Sequence, residues 1–230
     1  MKPLKVGLLG AGGNNVGDAR GLHHARHLSA LDAGTIVAVC DIVASAAERS
    51  AAQLGAAAYT DYEKFLRHGM DLVIIATPDT LHAQQAAQAL EAGVGVVSEV
   101  PAATTVDDAR RLVQAYRKAG GFYMLLENYG YRDENELIRR MVQAGQFGDV
   151  YFGEGEYLHD CRGLNRFPDG SFTWRGRSFS GYVYIWHSLR PLLYILDDRP
   201  ESISAMGTMQ PDRLEADIDI YDNVVSLIKT

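Results

Sequence analysis

The stretch Lys5-Val6-Gly7-Leu8-Leu9-Gly10-Ala11-Gly12-Gly13-Asn14-Asn15-Val16-Gly17 runs a short apolar strand straight into a glycine-rich turn. Glycines at such a turn let the backbone bend tightly and approach a pyrophosphate, whose charge then sits over the N-terminus of the next helix. The spacing departs from strict G-x-G-x-x-G, because position 15 is Asn and the next glycine is Gly17. Asp41 strengthens the dinucleotide reading. It closes the second strand-like run, Thr35–Cys40, where a carboxylate can accept hydrogen bonds from both adenosine ribose hydroxyls. The same charge repels a 2′-phosphate and Ile42 offers no cation, so NAD is expected rather than NADP, held by Gly10, Gly12, Gly13, Asn14 and Asp41.

Outward from this turn, short apolar runs alternate with helical segments. Arg20–Leu31, Ile42–Leu54, Asp61–Arg67, Thr80–Ala92 and Thr105–Lys118 read as helices. Asp71–Ala76, Val94–Ser98 and Phe122–Leu126 read as further strands. Asp71-Leu72-Val73-Ile74-Ile75-Ala76 is continuously apolar after its first residue, as a strand buried on both faces is. Thr105 and Asp108 resemble a capping box. Strands alternating with helices imply βαβ units and a doubly wound parallel sheet over residues 1–128. The rhythm then changes, and 129–230 reads as a second, α+β domain. It opens with a helix over Asp133–Ala144 and a long strand over Val150–Leu158. A loop over Asp160–Ser180 follows, then a helix over His187–Leu196 and strands over Ser202–Gly207 and Ile218–Ile228.

Composition narrows the partners. The chain has 230 residues, with 22 Lys and Arg against 29 Asp and Glu, a formal charge of −7. No basic run offers a phosphate-neutralising face, so nucleic acid is not an expected partner. No apolar stretch is long enough for a membrane span, and the N-terminus lacks the pattern of a signal peptide, which reads as cytoplasmic. Two distant cysteines, Cys40 and Cys161, give neither a disulfide framework nor a thiolate zinc site. His23-His24-x-x-His27 carries no carboxylate within the motif, and no metal is expected there.

The strings Ala76-Thr77-Pro78-Asp79-Thr80-Leu81-His82 and Ser98-Glu99-Val100-Pro101-Ala102, with the glycine turn, resemble the glucose–fructose oxidoreductase/inositol dehydrogenase/MocA family over essentially the whole chain. Further strings are similar to its branch containing NAD-dependent α-N-acetylgalactosaminidases. They are Glu127-Asn128, Glu156-Tyr157-Leu158-His159-Asp160, Thr173-Trp174-Arg175 and Tyr184-Ile185-Trp186-His187-Ser188-Leu189-Arg190-Pro191. The resemblance implies an N-terminal Rossmann domain joined to a C-terminal domain on an open, mostly antiparallel sheet, and homo-oligomers. It places Thr77, Pro78, His82, Glu99, Pro101, Glu127 and Asn128 along the cofactor. Tyr157, Tyr184 and His187 become the catalytic candidates, with His159, Trp174 and Arg175 at the substrate. Two departures stand out. Val100 occupies the position of the lysine that assists proton removal in dehydrogenase members, and Arg190 replaces a glycine.

The residues themselves suit proton exchange. Tyr184 and His187 are three apart at a helix start, and Tyr157 and His159 are two apart on the expected strand, so each pair shares a side. Three functions follow. The first is an NAD-dependent oxidoreductase transferring hydride between a sugar or glycoside carbon and nicotinamide, with His187 accepting the hydroxyl proton. The second is an NAD-dependent glycoside hydrolase working by oxidation, elimination, hydration and reduction. The third is a non-catalytic sugar- or dinucleotide-binding regulator, suggested by Val100. The last seven residues, Val224–Thr230, read as an apolar strand with no closing turn, which gives the expectation of a truncated second domain.

Overall fold

The structure, a computed structural model, describes residues 3–12, 20–218 and 220–230. Gly13, Asn14, Asn15 and Gly17 of the turn lie outside the described residues. The chain forms two compact units, Met1–Leu126 and Glu127–Thr230.

In the first unit six strands form one parallel sheet. They are β1 (Leu4–Leu9), β2 (Gly34–Cys40), β3 (Ala57–Tyr59), β4 (Leu72–Ile75), β5 (Gly95–Ser98) and β6 (Tyr123–Leu125). The helices are α1 (Arg20–Ala30), α2 (Ala44–Leu54), α3 (Tyr62–Leu66), α4 (His82–Glu91) and α5 (Val106–Ala119). The spatial order is β3-β2-β1-β4-β5-β6, with parallel pairing throughout. The chain runs outward from β1 through β2 to β3, then crosses back to β4. The order therefore reverses between β1 and β4, and a crevice forms beyond their carboxyl ends.

The alternation of side chains along each strand divides the core into two layers. Leu9, Val73, Ile75 and Val96 pack with Phe65 and the inner faces of α4 and α5. Val6, Leu8, Ile36, Val39 and Ile74 pack on the other face with Ala25 of α1 and Ala51 of α2. Small alanines on the buried helix faces let the helices lie close to the sheet. Burying one of the larger side chains, such as Leu8 or Phe65, contributes roughly 1.5–3 kcal/mol. Thr105 caps α5 as its spacing predicts: its hydroxyl accepts from Asp108 N at 3.1 Å and donates to Asp108 Oδ2 at 2.7 Å. β3 lies outside the expected strands.

The second unit contains α6 (Asp133–Gln143), α7 (Arg162–Asn165), α8 (Trp174–Ser178), α9 (Trp186–Leu196), β7 (Ser202–Thr208), α10 (Pro211–Glu215) and β8 (Asn223–Lys229). β7 and β8 pair antiparallel, from Ser202 opposite Lys229 to Thr208 opposite Asn223. Met206, Val225 and Leu227 share one face of this pair by register and are all highly exposed. α6 packs on α9 through Arg139 Nε donating to Tyr194 O and Tyr194 Oη donating to Glu136 Oε2.

Three expectations need correction. Residues 150–158 are not a strand: among the described residues they pair with none, and a strand exists only through its ladder. Gly155 instead brings this backbone onto α9, so closely that a Cβ there would lie 2.3 Å from Ser188 O. The last strand begins at Asn223 rather than Ile218. The residues before it are drawn into a turn in which Asp222 binds Arg213 and Ile218 N donates to Arg213 O. The expected loop over 160–180 contains α7 and α8, the second capped by Thr173 Oγ1 accepting from Gly176 N.

Candidate functional site

The first unit gathers its sequence-predicted residues at the carboxyl ends of the strands. Gly10 leaves β1 with φ +94°, and a Cβ there would lie 2.5 Å from Ala76 O, so the turn passes β4 at a distance only glycine tolerates. Gly12 also has positive φ, +83°. Asp41, at the end of β2, ties the turn down. Its Oδ2 accepts from Ala11 N at 2.8 Å and its Oδ1 from Val43 N at 2.9 Å. Ile42 beside it is 83% exposed. A turn of positive-φ glycines at the point where strand order reverses, with a carboxylate one strand away, fits a dinucleotide.

At the ends of β4 and β5 the side chains are braces. His82 is buried, with Nδ1 2.9 Å from Pro101 O and Nε2 2.8 Å from Thr77 O, so its ring ties the two loops together. Thr77 Oγ1 donates to Gln85 Oε1 at 2.5 Å, and Pro78 leads into the one-turn helix Asp79–Leu81. Glu99 turns onto α1. It lies 2.6 Å from His24 Nε2 and 3.3 Å from Arg20 Nε, and accepts from Val100 N at 3.2 Å. Burial raises its carboxyl pKa, but the His24 hydrogen bond, the His24 and Arg20 charges and the Val100 N–H outweigh burial and hold it below the ordinary value. Glu99 thus secures the helix that follows the glycine turn.

The second unit brings together Glu127, Tyr157, Tyr184 and His187, and adds Tyr129. His187, in the first turn of α9, is buried with two polar partners. Its Nδ1 lies 2.7 Å from Glu127 Oε1 and its Nε2 lies 3.0 Å from Tyr184 Oη. An ionised carboxylate only accepts, so Nδ1 carries a proton, and in the neutral ring the Nε2 lone pair faces the Tyr184 hydroxyl. Glu127 is itself fixed by Tyr129 N and Gly130 N, each donating at 3.1 Å. Burial pushes its carboxyl upward. The His187 hydrogen bond and the two backbone N–H groups overcome this and hold it below its ordinary value, so it stays ionised at neutral pH.

Three tyrosine rings enclose the imidazole: Tyr129 at 4.3 Å, Tyr157 at 4.8 Å and Tyr184 at 4.9 Å between centroids. Burial, reinforced by Tyr184 and Tyr129, raises the Tyr157 pKa, so Tyr157 remains a neutral phenol. The ring of His159 stacks with that of Tyr157 at 5.8 Å although no strand aligns them. Arg175, on α8, lies over Phe179 at 3.8 Å and Tyr184 at 5.5 Å. Trp174 begins the same helix, half-buried. Asn128 is exposed and precedes the one-turn helix Tyr129–Tyr131.

The Glu127 carboxylate, on a residue that the resemblance places along the cofactor, hydrogen-bonds His187. Tyr129 was not singled out, because nothing in its local sequence signals a ring packed on a histidine far along the chain. The departure at Arg190 places this side chain over the Tyr131 and Tyr194 rings and against Gly130. His23 and His27 pack edge to face, with centroids 4.2 Å apart. Among the described residues no group of three or more His, Cys, Asp or Glu is placed to hold a metal ion, and no helix is long and apolar enough to cross a membrane.

Comparison with known proteins bears on the fold and the family. Residues 4–126 match the oxidoreductase family with the NAD-binding Rossmann fold. A glycosyl hydrolase family 109 protein of Saccharopolyspora erythraea is 33% identical over 225 residues, covering 89% of this chain and 48% of the relative. One from Streptomyces niveus is 36% identical over 225 residues, covering 89% and 44%. The chain thus spans about half the length of the curated relatives it matches. Among solved structures, the WlbA dehydrogenase of Bordetella pertussis, in complex with NADH and UDP-GlcNAcA, is similar in fold. Its TM-score is 0.81 at 24% identity, covering 99% of this chain and 63% of that one. The myo-inositol 2-dehydrogenase of Lactobacillus plantarum has a TM-score of 0.78 at 19% identity, covering 99% and 66%.

Proposed function

This chain belongs to the oxidoreductase family with the NAD-binding Rossmann fold, and from that premise we propose that it is an NAD-dependent enzyme acting at a hydroxyl-bearing carbon of a sugar or glycoside. The observation that carries the proposal is the hydrogen-bonded chain Tyr184–His187–Glu127, with links of 3.0 and 2.7 Å. Gly10, Gly12, Asp41, Thr77 and Pro78 would hold the cofactor. When bound, NAD supplies the hydride acceptor that oxidation of the carbon requires.

The protein's own part is proton handling. Val100 has no titratable group, so the hydroxyl proton needs another acceptor. Nε2 of His187 receives it, with the Tyr184 hydroxyl relaying it from the substrate. The imidazolium that forms is stabilised by the Glu127 carboxylate at Nδ1, and such general-base assistance contributes roughly 10²- to 10⁴-fold. Tyr157, neutral because its pKa is raised, donates a hydrogen bond to a sugar oxygen and does not act as a base. His159 and Trp174 complete the sugar contacts.

Net cleavage of a glycoside without net redox is the second reading. Tyr157 beside the Tyr184–His187 pair favours it, because expulsion of the leaving group in the elimination needs a proton donor, which a neutral phenol is. The family 109 names of the relatives above are consistent with it. The formal charge of −7 supports a role without nucleic acid, and the absence of a membrane-crossing helix among the described residues is compatible with a cytoplasmic enzyme. The exposed Met206, Val225 and Leu227 face supports association into a homo-oligomer.

The test incubates the protein with NAD and a panel of sugars and aryl glycosides, following NADH absorbance and aglycone release together. Stoichiometric NADH supports the dehydrogenase. Aglycone release without net NADH, with solvent deuterium entering at C2, supports the hydrolase. Tight NAD binding with silence in both channels would sink both in favour of a regulator.

A further inference from the structure

Arg213 is 4% exposed, whereas Arg162 and Arg177 of the same unit lie at the surface. Its guanidinium joins two separate parts of the chain. Nε donates to the Asp222 carboxylate at 2.8 Å, Nη2 lies 2.7 Å from the same group, and Nη1 donates to Gly176 O. A buried ion pair gains little net stability, because desolvation offsets the attraction. What the planar fork adds is direction, since it holds two partners at fixed angles.

Those partners bracket the stretch that leads to Tyr184. Gly176 O lies in the last turn of α8, where carbonyls need partners from outside the helix. Asp222 adjoins Tyr221, which holds the other end: Gly181 N donates to Tyr221 O at 2.9 Å, and Tyr221 N donates to Ser180 Oγ at 3.4 Å. The Tyr221 ring packs on Tyr182 at 4.8 Å and against Gly207, where a Cβ would lie 2.7 Å from it. From Gly181 the chain makes the one-turn helix Gly181–Val183, closed by Tyr184 N donating to Gly181 O at 3.2 Å. The Tyr184 ring then rests on Phe179, inside the bracketed stretch, at 4.7 Å.

We propose that Arg213 is a positioning residue for the Tyr184–His187–Glu127 chain: by tying Gly176 to Asp222 it holds residues 176–184 so that the Tyr184 hydroxyl meets Nε2 of His187. The inference rests on the proton-handling reading above. It gives a part in that reading to a side chain that hydrogen-bonds none of the three among the described residues.

Nitrogen NMR of the His187 ring tests this without turnover. The 230-residue protein, labelled with ¹⁵N-histidine and with NAD added, is observed in mildly alkaline buffer, and the His187 signals are those missing from His187→Ala. Tyr184→Phe should move the Nε2 resonance toward the position of an imine nitrogen without a hydrogen bond. Arg213→Met should move it the same way, and Arg213→Lys less far, because an ammonium keeps the charge without the fork. Arg166→Met, which removes the neighbouring pair with Asp212, should leave the resonance in place and so separates positioning from general loosening. Should Arg213→Met fail to fold by circular dichroism, Arg213→Lys decides. An Nε2 resonance unmoved in every folded Arg213 variant, or moved as far by Arg166→Met, overturns the inference and leaves the proton-handling reading standing. If Tyr184→Phe itself leaves Nε2 unmoved, that reading fails and the inference falls with it.

Discussion

Glu127 Oε1 stands 2.7 Å from Nδ1 of His187, a buried carboxylate–imidazole pair whose members lie sixty residues apart in sequence. The pair fixes which ring nitrogen is protonated and therefore which one can accept a proton. Glu127→Gln keeps the shape but lets the side chain offer an amide in place of a carboxylate, and the imidazolium loses its counter-charge. Turnover should fall roughly 10²- to 10⁴-fold with NAD affinity unchanged, measured by steady-state kinetics and fluorescence titration.

The same pair predicts a pH dependence of stability. The Glu127 carboxyl is held below its ordinary value in the folded protein, so its contribution is present above the unfolded value of about 4.3. It is lost as pH falls through the folded value. Thermal melts of the wild type should therefore lose more stability on acidification than those of Glu127→Gln.

Tyr184→Phe separates proton relay from packing. The ring contact with Phe179 at 4.7 Å survives, while the hydroxyl at 3.0 Å from His187 Nε2 is lost. Activity should drop by about 10²-fold or more, with stability changed by no more than about 1.5 kcal/mol, the net worth of one hydrogen bond. Chemical denaturation and kinetics on one preparation check both.

Glu99 anchors α1 through His24 and Arg20. Glu99→Gln removes that anchor and should lower stability by roughly 1–3 kcal/mol and weaken NAD binding. Melts with and without NAD measure the two effects, the second as a smaller shift on adding the cofactor.

Asp41→Ala combined with Ile42→Arg should move preference from NAD toward NADP. The substitution removes the carboxylate that repels a 2′-phosphate and adds a cation at an exposed position. Both affinities will be lower in absolute terms, because Asp41 also holds the backbone of Ala11 and Val43. Calorimetric titration with each dinucleotide gives the ratio.

Legibility in the sequence followed the range of the interactions. β1, β2, β4 and β5 announce themselves as apolar runs because both faces of a parallel sheet are buried. β3 was missed because Ala57-Ala58-Tyr59 is short and two-thirds alanine, which has little preference for strand. Residues 150–158 look extended, but a strand also needs a partner, which local pattern does not encode. At the site, Tyr184 and His187 are legible from their spacing and the strings around them, although Tyr184 closes the one-turn helix Gly181–Val183 and precedes α9 instead of sharing a helix face with His187. The direction in which Glu127 and Glu99 turn was not, since each is decided by a partner sixty or more residues away. Tyr129 was silent for the same reason.

The most direct measurement compares wild type with His187→Ala in one assay, NAD with the sugar and aryl glycoside panel, reading NADH formation and aglycone release while NAD affinity is determined independently. The wild type should turn over at least one substrate class, and His187→Ala should lose about 10²-fold or more of that activity with NAD binding intact. Full activity in His187→Ala would contradict the assignment of the proton acceptor, and a wild type that binds NAD yet turns over nothing would contradict the enzyme reading itself.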